Sequence, residues 1–277
     1  MMIMRRLLLT IAALAAFTAA QAQAQDLVIL HMNDTHSHVD PERSGKHAGK
    51  GGAIEQAAYI DEVRSEVGKK NVLLVHAGDF SQGTSYFTEL GGDMEISLLN
   101  AMGYDAVALG NHEFDNGMEE LARRLKNLKA VPVCANYDFT GTPLEKLVKP
   151  YTIVKKAGRK IGIIGLLPDL MDVVDASIAS QITFIAPDKV VDEYAAYLKD
   201  EKDCDLVVVL SHLGYEGEPY TDRELVAVTR NVDVIVGGHS HTKLKDKKVF
   251  KNVDGEDVVI VTDWKWGLQV GRLDIDF

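Results

Sequence analysis

Short, nearly uninterrupted runs of Val, Ile and Leu alternate along this chain with segments whose apolar residues recur at helical spacing. The first pattern is typical of strands buried on both faces, and the second of helices with one buried face. Their alternation predicts a layered α/β domain with crossover helices. The predicted strands are 27–31, 72–77, 106–109, 131–135, 160–166, 206–210, 232–236, 258–262 and 269–275, and the predicted helices are 54–67, 94–102, 118–128, 188–198 and 223–228.

The N-terminus has the pattern of a secretory signal peptide. Arg5 and Arg6 precede an apolar run over residues 7–20, and small residues follow at Ala22 and Ala24. The run is too short to cross about 30 Å of hydrocarbon. The cleavage site contains no cysteine, so the sequence does not indicate a lipid anchor. We therefore predict a signal peptide over residues 1–24, one domain over residues 25–277, a periplasmic or secreted protein, and no membrane anchor.

The net charge argues against one class of binding partner, and the two cysteines raise the question of a disulfide. The formal net charge is −11, and loss of the two arginines with residues 1–24 takes it to −13. Binding to nucleic acid polymers depends on Lys and Arg that neutralise phosphates, so we expect no nucleic acid partner. Cys134 and Cys204 could pair in an oxidising compartment. Because both lie in or beside apolar strands, buried thiols are the favoured interpretation.

Five of the predicted strands end in side chains that can bind a metal ion, several of them beside glycine. The segments are Asn33-Asp34-Thr35-His36, Gly78-Asp79, Gly110-Asn111-His112, Ser211-His212 and Gly237-Gly238-His239-Ser240-His241. Ligands of open α/β sheets bind at the carboxyl ends of the strands, and glycine lets the backbone turn sharply there. Two carboxylates, an amide and several imidazoles are too many ligands for one four-coordinate ion. They suit two ions that share a bridging carboxylate.

Two neighbouring metal ions are a recurring device for displacement at phosphorus, because they activate a water molecule and offset the charge on the phosphoryl oxygens. Two divalent cations less the charges of Asp34 and Asp79 leave a centre of about +2. Such a centre attracts a phosphate in spite of the acidic chain, since distant surface charges are screened over about 8 Å.

The ordered motifs Asp-x-His, Gly-Asp, Gly-Asn-His-Glu, Ser-His and Gly-Gly-His-x-His resemble those of the calcineurin-like metallophosphoesterases. The fuller strings HMNDTHSH, AGDFSQGT, LGNHEFDNG and GGHSH resemble the branch that contains 5'-nucleotidases, UDP-sugar hydrolases and 2',3'-cyclic phosphodiesterases. The set extends from Asp34 to His241, most of the mature chain. The resemblance implies a four-layer α-β-β-α sandwich of the metallo-dependent phosphatase type over residues 25–277. It also implies hydrolysis of phosphate esters, nucleotides above all, by attack of a metal-bound hydroxide.

The resemblance assigns a role to each residue of the motifs. One metal ion would be held by Asp34, His36 and His241, the other by Asn111, His212 and His239, with Asp79 as the bridge. His112 would face the phosphate and help the leaving oxygen depart, and Asp115 would accept a hydrogen bond from the other ring nitrogen of His112. Mixed nitrogen and oxygen ligands suit Zn, Mn, Fe or Co, so the identity of the two ions stays open.

Histidines and tryptophans outside these motifs have more ordinary interpretations. His31 and His76 lie inside strand runs and are predicted to be buried core residues, whereas His47 lies in a Gly- and Lys-rich loop and is predicted to be solvated. Trp264 and Trp266 are either platforms for a substrate base or a packed rim.

Several functions stay open at this point. Family nucleotidases usually continue into a second domain that stacks the base, whereas this sequence ends shortly after the predicted strand 269–275. We expect either an enzyme for generic small-molecule phosphoesters or a catalytic subunit that needs a separately encoded nucleotide-binding domain protein. A 2',3'-cyclic nucleotide phosphodiesterase, a sulfur-ester hydrolase on the same scaffold, and a non-catalytic metal-binding or structural protein are the alternatives. His112 and Asp115 argue against a protein that only binds metal, because such a protein needs neither.

Overall fold

A computed structural model describes residues 27–277, so the predicted signal peptide lies outside the described residues. The strands are β1 Leu27–Met32, β2 Val72–His76, β3 Ala106–Ala108, β4 Val131–Val133, β5 Tyr137–Asp138, β6 Tyr151–Lys156, β7 Arg159–Leu166, β8 Thr183–Phe184, β9 Leu206–Ser211, β10 Val234–Gly237, β11 Lys248–Lys251, β12 Asp257–Val261 and β13 Gly271–Ile275. The α-helices are α1 Ala53–Val67, α2 Ser85–Leu90, α3 Asp93–Met102, α4 Gly117–Leu125, α5 Ala176–Ala179, α6 Pro187–Ala196 and α7 Asp222–Val228. Single 3-10 turns cover Gly45–His47, Lys69–Asn71, His112–Phe114 and Leu170–Asp172, and a π-helical turn over Tyr197–Glu201 continues α6.

Two sheets contain most of the strands. The first has the order β13-β1-β2-β3-β4, in which β1 to β4 are parallel and β13 is antiparallel to β1. The second has the order β11-β12-β10-β9-β7-β6, with four parallel central strands and an antiparallel strand at each edge. A small third sheet pairs β5 with β8.

The sheets pack face to face, and helices cover their outer faces. In β1, Leu27 and Ile29 face the core between the sheets, whereas Val28, Leu30 and Met32 face the core beneath α1 and α3. This alternation is the two-residue period of a strand, and it places apolar side chains on both faces. A separate core joins α6 and α7 to the second sheet. The predicted four-layer α-β-β-α sandwich is confirmed.

All nine predicted strands and all five predicted helices are present, with ends displaced by a few residues. Local sequence also accounts for two of the helix starts. Pro187 occupies the first turn of α6, and Thr221 forms a capping box with Glu224 at the start of α7. The prediction lacked four strands, namely β6 and β11 at the edges of the second sheet and β5 and β8 of the small third sheet, and the two short helices α2 and α5.

The described residues also show the state of the two cysteines and the length of each helix. Cys134 and Cys204 are buried and free, as predicted. No helix within residues 27–277 is long and apolar enough to cross a bilayer.

Candidate metal centre

The loops that follow β1, β2, β3, β9 and β10 meet at one end of the sandwich. The backbone N–H of Asp34 donates to Gly78 O at 3.0 Å, and that of His36 donates to Asp79 O at 3.1 Å, so the loops after β1 and β2 are bonded together. The backbone N–H of His239 donates to Asp34 Oδ2 at 2.9 Å. The carboxyl ends of both sheets therefore reach a common site.

The backbone at this site is strained. Five candidate ligands have left-handed φ angles between 46° and 68°: Asp34, His36, Asp79, His239 and His241. Such conformations cost about 1–3 kcal/mol each and concentrate at functional sites. Gly78, with φ of 91°, shows why a glycine is needed beside them, because a Cβ there would lie 2.7 Å from His212 Nδ1.

One cluster of ligand atoms is formed by Asp34, His36 and His241. Asp34 Oδ1 lies 3.4 Å from His241 Nε2 and 3.7 Å from His36 Nε2. The two imidazoles turn Nε2 towards each other at 2.9 Å. The two imidazoles could share a proton. A cation between them would instead bind the Nε2 lone pair of each ring and the carboxylate of Asp34.

A second cluster is formed by Asp79, His212 and His239, whose ligand atoms lie within 4.8 Å of one another. Asp79 Oδ2 is 3.0 Å from His212 Nε2 and 3.8 Å from His36 Nε2, so the same oxygen faces both clusters. Its other oxygen accepts the backbone N–H of His112 at 3.0 Å.

An unpartnered polar atom shows that the side chains fit a metal ion. Asn111 Oδ1 is buried and has no hydrogen-bond partner, and the buried His212 Nε2 faces the carboxylate of Asp79 at 3.0 Å. A buried polar atom without a partner is costly, so each such atom requires an explanation. A bound metal ion would explain it, because the carboxylate, amide and imidazole groups gathered in this small volume match the ligands of Zn, Mn, Fe and Co.

Burial and the two carboxylates set the protonation of the histidines. Burial lowers the pKa of His239 to about 4 and holds the pKa of His36 below its usual range, so both carry free lone pairs near neutral pH. Burial opposes protonation of His212 too, but the charge and hydrogen bond of Asp79 outweigh it and raise the pKa to about 10. A cation on His212 would displace that proton, which couples metal binding to proton release.

His112 and Asp115 form a pair at the rim of the clusters. His112 Nδ1 lies 2.9 Å from Asp115 Oδ2, and this hydrogen bond raises the pKa of His112. The side chain of His112 is 32% exposed, unlike the fully buried His212. His112 also groups with His36 and Asp79 at ligand distance, so proximity alone does not separate a metal ligand from a residue that faces substrate.

Glu113 is a site residue that the sequence analysis missed. Its buried carboxylate accepts the backbone N–H groups of Asp79 at 2.9 Å, Ser81 at 2.9 Å and Gly110 at 2.6 Å. Arg124, fully buried, donates to Glu113 O at 2.8 Å. Burial and the charge of Asp79 raise the pKa of Glu113 to about 7. The Glu of LGNHEFDNG was the available signal, but its role depends on a loop more than 30 residues away.

The sequence analysis also missed the roles of Asn33 and Asp263, because each depends on residues that are distant in the sequence. Asn33 Nδ2 donates to Asp34 Oδ2 at 2.7 Å and to Trp264 O at 2.7 Å. Asp263 Oδ1 accepts the backbone N–H of Asn33 at 3.2 Å across 230 positions. The segment after β12 thus fixes the orientation of Asp34.

The other histidines match the sequence analysis in part. His31 and His76 are buried as predicted, and burial lowers their pKa values to about 4 and about 3. His47 was predicted to be solvated, but it is half-buried and lies edge-on to Trp264 with ring centroids 5.0 Å apart.

A four-layer α/β sandwich with Asp, Asn and His gathered where the parallel strands of two sheets end is the fold of the metallo-dependent phosphatases. Comparison with known proteins agrees. The family model described as calcineurin-like phosphoesterase matches residues 27–243. The chain therefore belongs to the calcineurin-like phosphoesterase family.

The chain is similar to several individual members of this family. A probable 5'-nucleotidase of Treponema pallidum is 33% identical over 274 residues, which cover 91% of this chain and 45% of that protein. The NAD 5'-nucleotidase of Haemophilus influenzae is 32% identical, with 98% of this chain and 47% of the relative covered. The crystal structure of a 5'-nucleotidase precursor from Thermus thermophilus superimposes with a TM-score of 0.83 at 36% identity, covering 91% of this chain and 51% of that one. The chain spans about half the length of these relatives.

Proposed function

We propose that this chain is an exported phosphoesterase that binds two divalent cations and hydrolyses phosphate esters, with nucleotides as the preferred class. The observation that carries the proposal is Asp79 Oδ2, which faces His212 at 3.0 Å and His36 at 3.8 Å and so belongs to both clusters. A carboxylate in that position is suited to bridge two ions. The signal-peptide pattern of residues 1–24 supports export to the periplasm or medium.

Seven side chains would hold the two ions. Asp34, His36 and His241 would bind one and Asn111, His212 and His239 the other, with Asp79 between them. When bound, the two cations lower the pKa of water and offset charge on the phosphoryl oxygens. The left-handed turns at Asp34 and Asp79 hold both carboxylates in place before any substrate arrives.

His112 has the position of a proton donor to the leaving group. Its Nδ1 is engaged by Asp115, which leaves Nε2 as the nitrogen that exchanges a proton with substrate. The hydrogen bond raises the pKa of His112 and so favours the protonated imidazole, the form that can protonate a leaving oxygen. Asp115 thereby fixes both the orientation and the tautomer of His112.

The names of the relatives support nucleotides as substrates, since two of those compared above are described as a 5'-nucleotidase and an NAD 5'-nucleotidase. We infer two candidate arrangements for recognition of the base. Either this domain accepts generic phosphoesters, or a separately encoded nucleotide-binding domain protein completes the site.

A substrate panel tests the proposal. The purified chain is stripped with a chelator, reconstituted with Mn²⁺ or Zn²⁺, and assayed on AMP, 2',3'-cyclic AMP, a chromogenic aryl phosphate and an aryl sulfate. His112→Asn protein, prepared in parallel, controls for contaminating phosphatase. We expect metal-dependent release of phosphate from AMP and the aryl phosphate. Hydrolysis of the sulfate alone, or activity that ignores the metal, would contradict the proposal. A hundredfold preference for one nucleotide by the isolated chain would exclude the generic arrangement.

A further inference from the structure

A cluster of lysines surrounds the two tryptophans beside the candidate metal centre. We call it the basic aromatic rim and define it as Trp264, Trp266, Lys46, Lys50, Lys243 and Lys265. Lys243 Nζ lies 4.4 Å from the ring centroid of Trp264, and Lys265 Nζ lies 4.3 Å from that of Trp266. Lys46 and Lys50 lie one and three residues from His47, whose ring contacts Trp264, and both are close enough for their charges to act on that ring. These four lysines make the rim locally basic on a chain whose net charge is −11.

Hydrogen bonds attach this rim directly to a candidate metal ligand. Asn33 Nδ2 donates both to Trp264 O and to Asp34 Oδ2, each at 2.7 Å. The backbone N–H of Trp266 donates to Asp34 O at 2.6 Å. Lys243 follows His241 by two residues, which is at most about 7 Å of backbone. A phosphoester bound at the metal centre would therefore have its remainder within reach of the rim.

The backbone of both tryptophans is strained. Trp264 has φ of 86° and Trp266 has φ of 59°, a region that bulky residues rarely occupy and that glycine adopts without strain. Side chains kept at such a cost concentrate at ligand-binding sites. Neither side chain belongs to the buried apolar cores, so core packing does not account for them.

The two rings differ in what already covers them. Trp266 stacks on His38, with ring centroids 4.9 Å apart and planes 12° apart. Trp264 meets His47 edge-on at 76°, and among residues 27–277 no ring lies parallel to it. Lys243 covers one face of Trp264, and Trp264 is the ring of the two that lacks an aromatic stacking partner among the described residues.

We propose that the basic aromatic rim binds the leaving group of the substrate, with a nucleobase stacked on Trp264 and a second phosphate group bound by the lysines. The favoured substrate class is then a nucleotide that carries a phosphate besides the one removed. The phosphate that is removed would be bound at the metal centre. The positive charges of the lysines are therefore available to bind the second phosphate. This inference rests on the proposed function and deepens it.

Tryptophan fluorescence of protein stripped of metal tests the stacking without turnover. Trp264 and Trp266 are the only two tryptophans of the chain, so the intrinsic tryptophan emission comes from the rim alone. We expect adenosine 3',5'-bisphosphate to quench the wild type and a Trp266→Phe variant, in which Trp264 is the sole tryptophan emitter. We expect no quenching in Trp264→Gly. Quenching that persists in Trp264→Gly, or is absent from the wild type, would overturn the proposal.

Kinetics test the substrate class. Because base stacking on an aromatic ring is worth about tenfold or more in binding, Trp264→Gly should lower the ratio of kcat/KM for AMP to that for glycerol 2-phosphate about tenfold. The double variant Lys46→Gln, Lys50→Gln should reduce the preference for adenosine 3',5'-bisphosphate over AMP. The double variant Lys245→Gln, Lys247→Gln removes two nearby lysines outside the rim and serves as the matched control, with unchanged ratios.

The outcomes separate this inference from the proposed function. Equal losses on AMP and glycerol 2-phosphate in Trp264→Gly, or equal effects of the two lysine pairs, would show that the rim does not select the leaving group. A wild type that hydrolyses none of these monoesters, yet is quenched by the bisphosphate only when Trp264 is present, would refute the phosphoesterase and leave the rim as a nucleotide site.

Discussion

Asp79 is the residue on which both clusters depend, because one of its oxygens faces a histidine of each. Replacement by Asn keeps the size but removes the negative charge that offsets two cations. We expect Asp79→Asn to lose both metal ions and all measurable hydrolysis. Metal analysis of the purified protein, with circular dichroism to verify folding, provides the measurement. Asp276→Asn, at an exposed position near the C-terminus, is the control and should retain both.

His112 should separate from the ligands in the same assay. If it donates a proton instead of binding metal, His112→Asn keeps both ions and lowers kcat by about 10²–10⁴, the usual contribution of a positioned acid–base group. Parallel metal analysis and steady-state kinetics decide the matter. If His112→Asn lost as much metal as Asp79→Asn, His112 would be a metal ligand. The ligand atoms of His112, His36 and Asp79 lie close enough together to hold one ion in that case.

Asp115 contacts substrate only through His112, so the two substitutions should not add. We expect Asp115→Asn to reduce kcat by less than His112→Asn does, since the imidazole stays but loses its fixed tautomer. In the double variant, the change at Asp115 should have no further effect. The double-mutant cycle in kcat is the readout. Additive losses would mean that Asp115 contributes independently of His112.

At the scale of elements, Glu113 joins the loops after β2 and β3. Gln in its place has one acceptor oxygen, so its amide nitrogen would face a backbone N–H of Ser81, Asp79 or Gly110. We expect Glu113→Gln to lower the free energy of unfolding by about 1–3 kcal/mol. Urea unfolding in the presence of chelator measures this without a contribution from metal. Glu119→Gln, at an exposed position of α4, should be nearly neutral.

Burial decided which elements could be predicted from the sequence. β1 and β9 are buried at every residue, so they form continuous apolar runs that only a strand between two layers explains. β6 and β11 are edge strands with exposed lysines, and their sequences lack that pattern. They form because a neighbouring strand offers hydrogen bonds, a property of the sheet that their own residues do not show.

The same distinction holds in the candidate site. The residues that follow β1, β2, β3, β9 and β10 were predictable because their chemistry and their position at strand ends coincide. Asn33, Glu113 and Asp263 were not, because each acts on a partner that only the folded chain brings close, 230 positions away for Asn33 and Asp263. The strain at Trp264 was equally invisible, since a φ angle of 86° leaves no mark in the sequence.

At the scale of the whole molecule, the metal centre joins the two sheets, so binding of cations should stabilise the entire fold. Ligands that bind only the native state add about 2.7 kcal/mol at a hundredfold excess over Kd. For a domain of this size that predicts a rise in Tm of roughly 5–10 °C on adding Mn²⁺ or Zn²⁺ to stripped protein. Thermal unfolding measures the shift, and Asp79→Asn should show none. An equal shift in the variant would place the stabilising ion elsewhere.

The most direct measurement of the central claim is a metal titration of the stripped wild type, followed by hydrolysis of a chromogenic phosphate monoester and by metal analysis of the same samples. We expect activity to rise with bound metal and to reach its plateau at two ions per chain. A plateau at one ion, or full activity in protein that carries none, would contradict a centre built from the ends of five strands around Asp79.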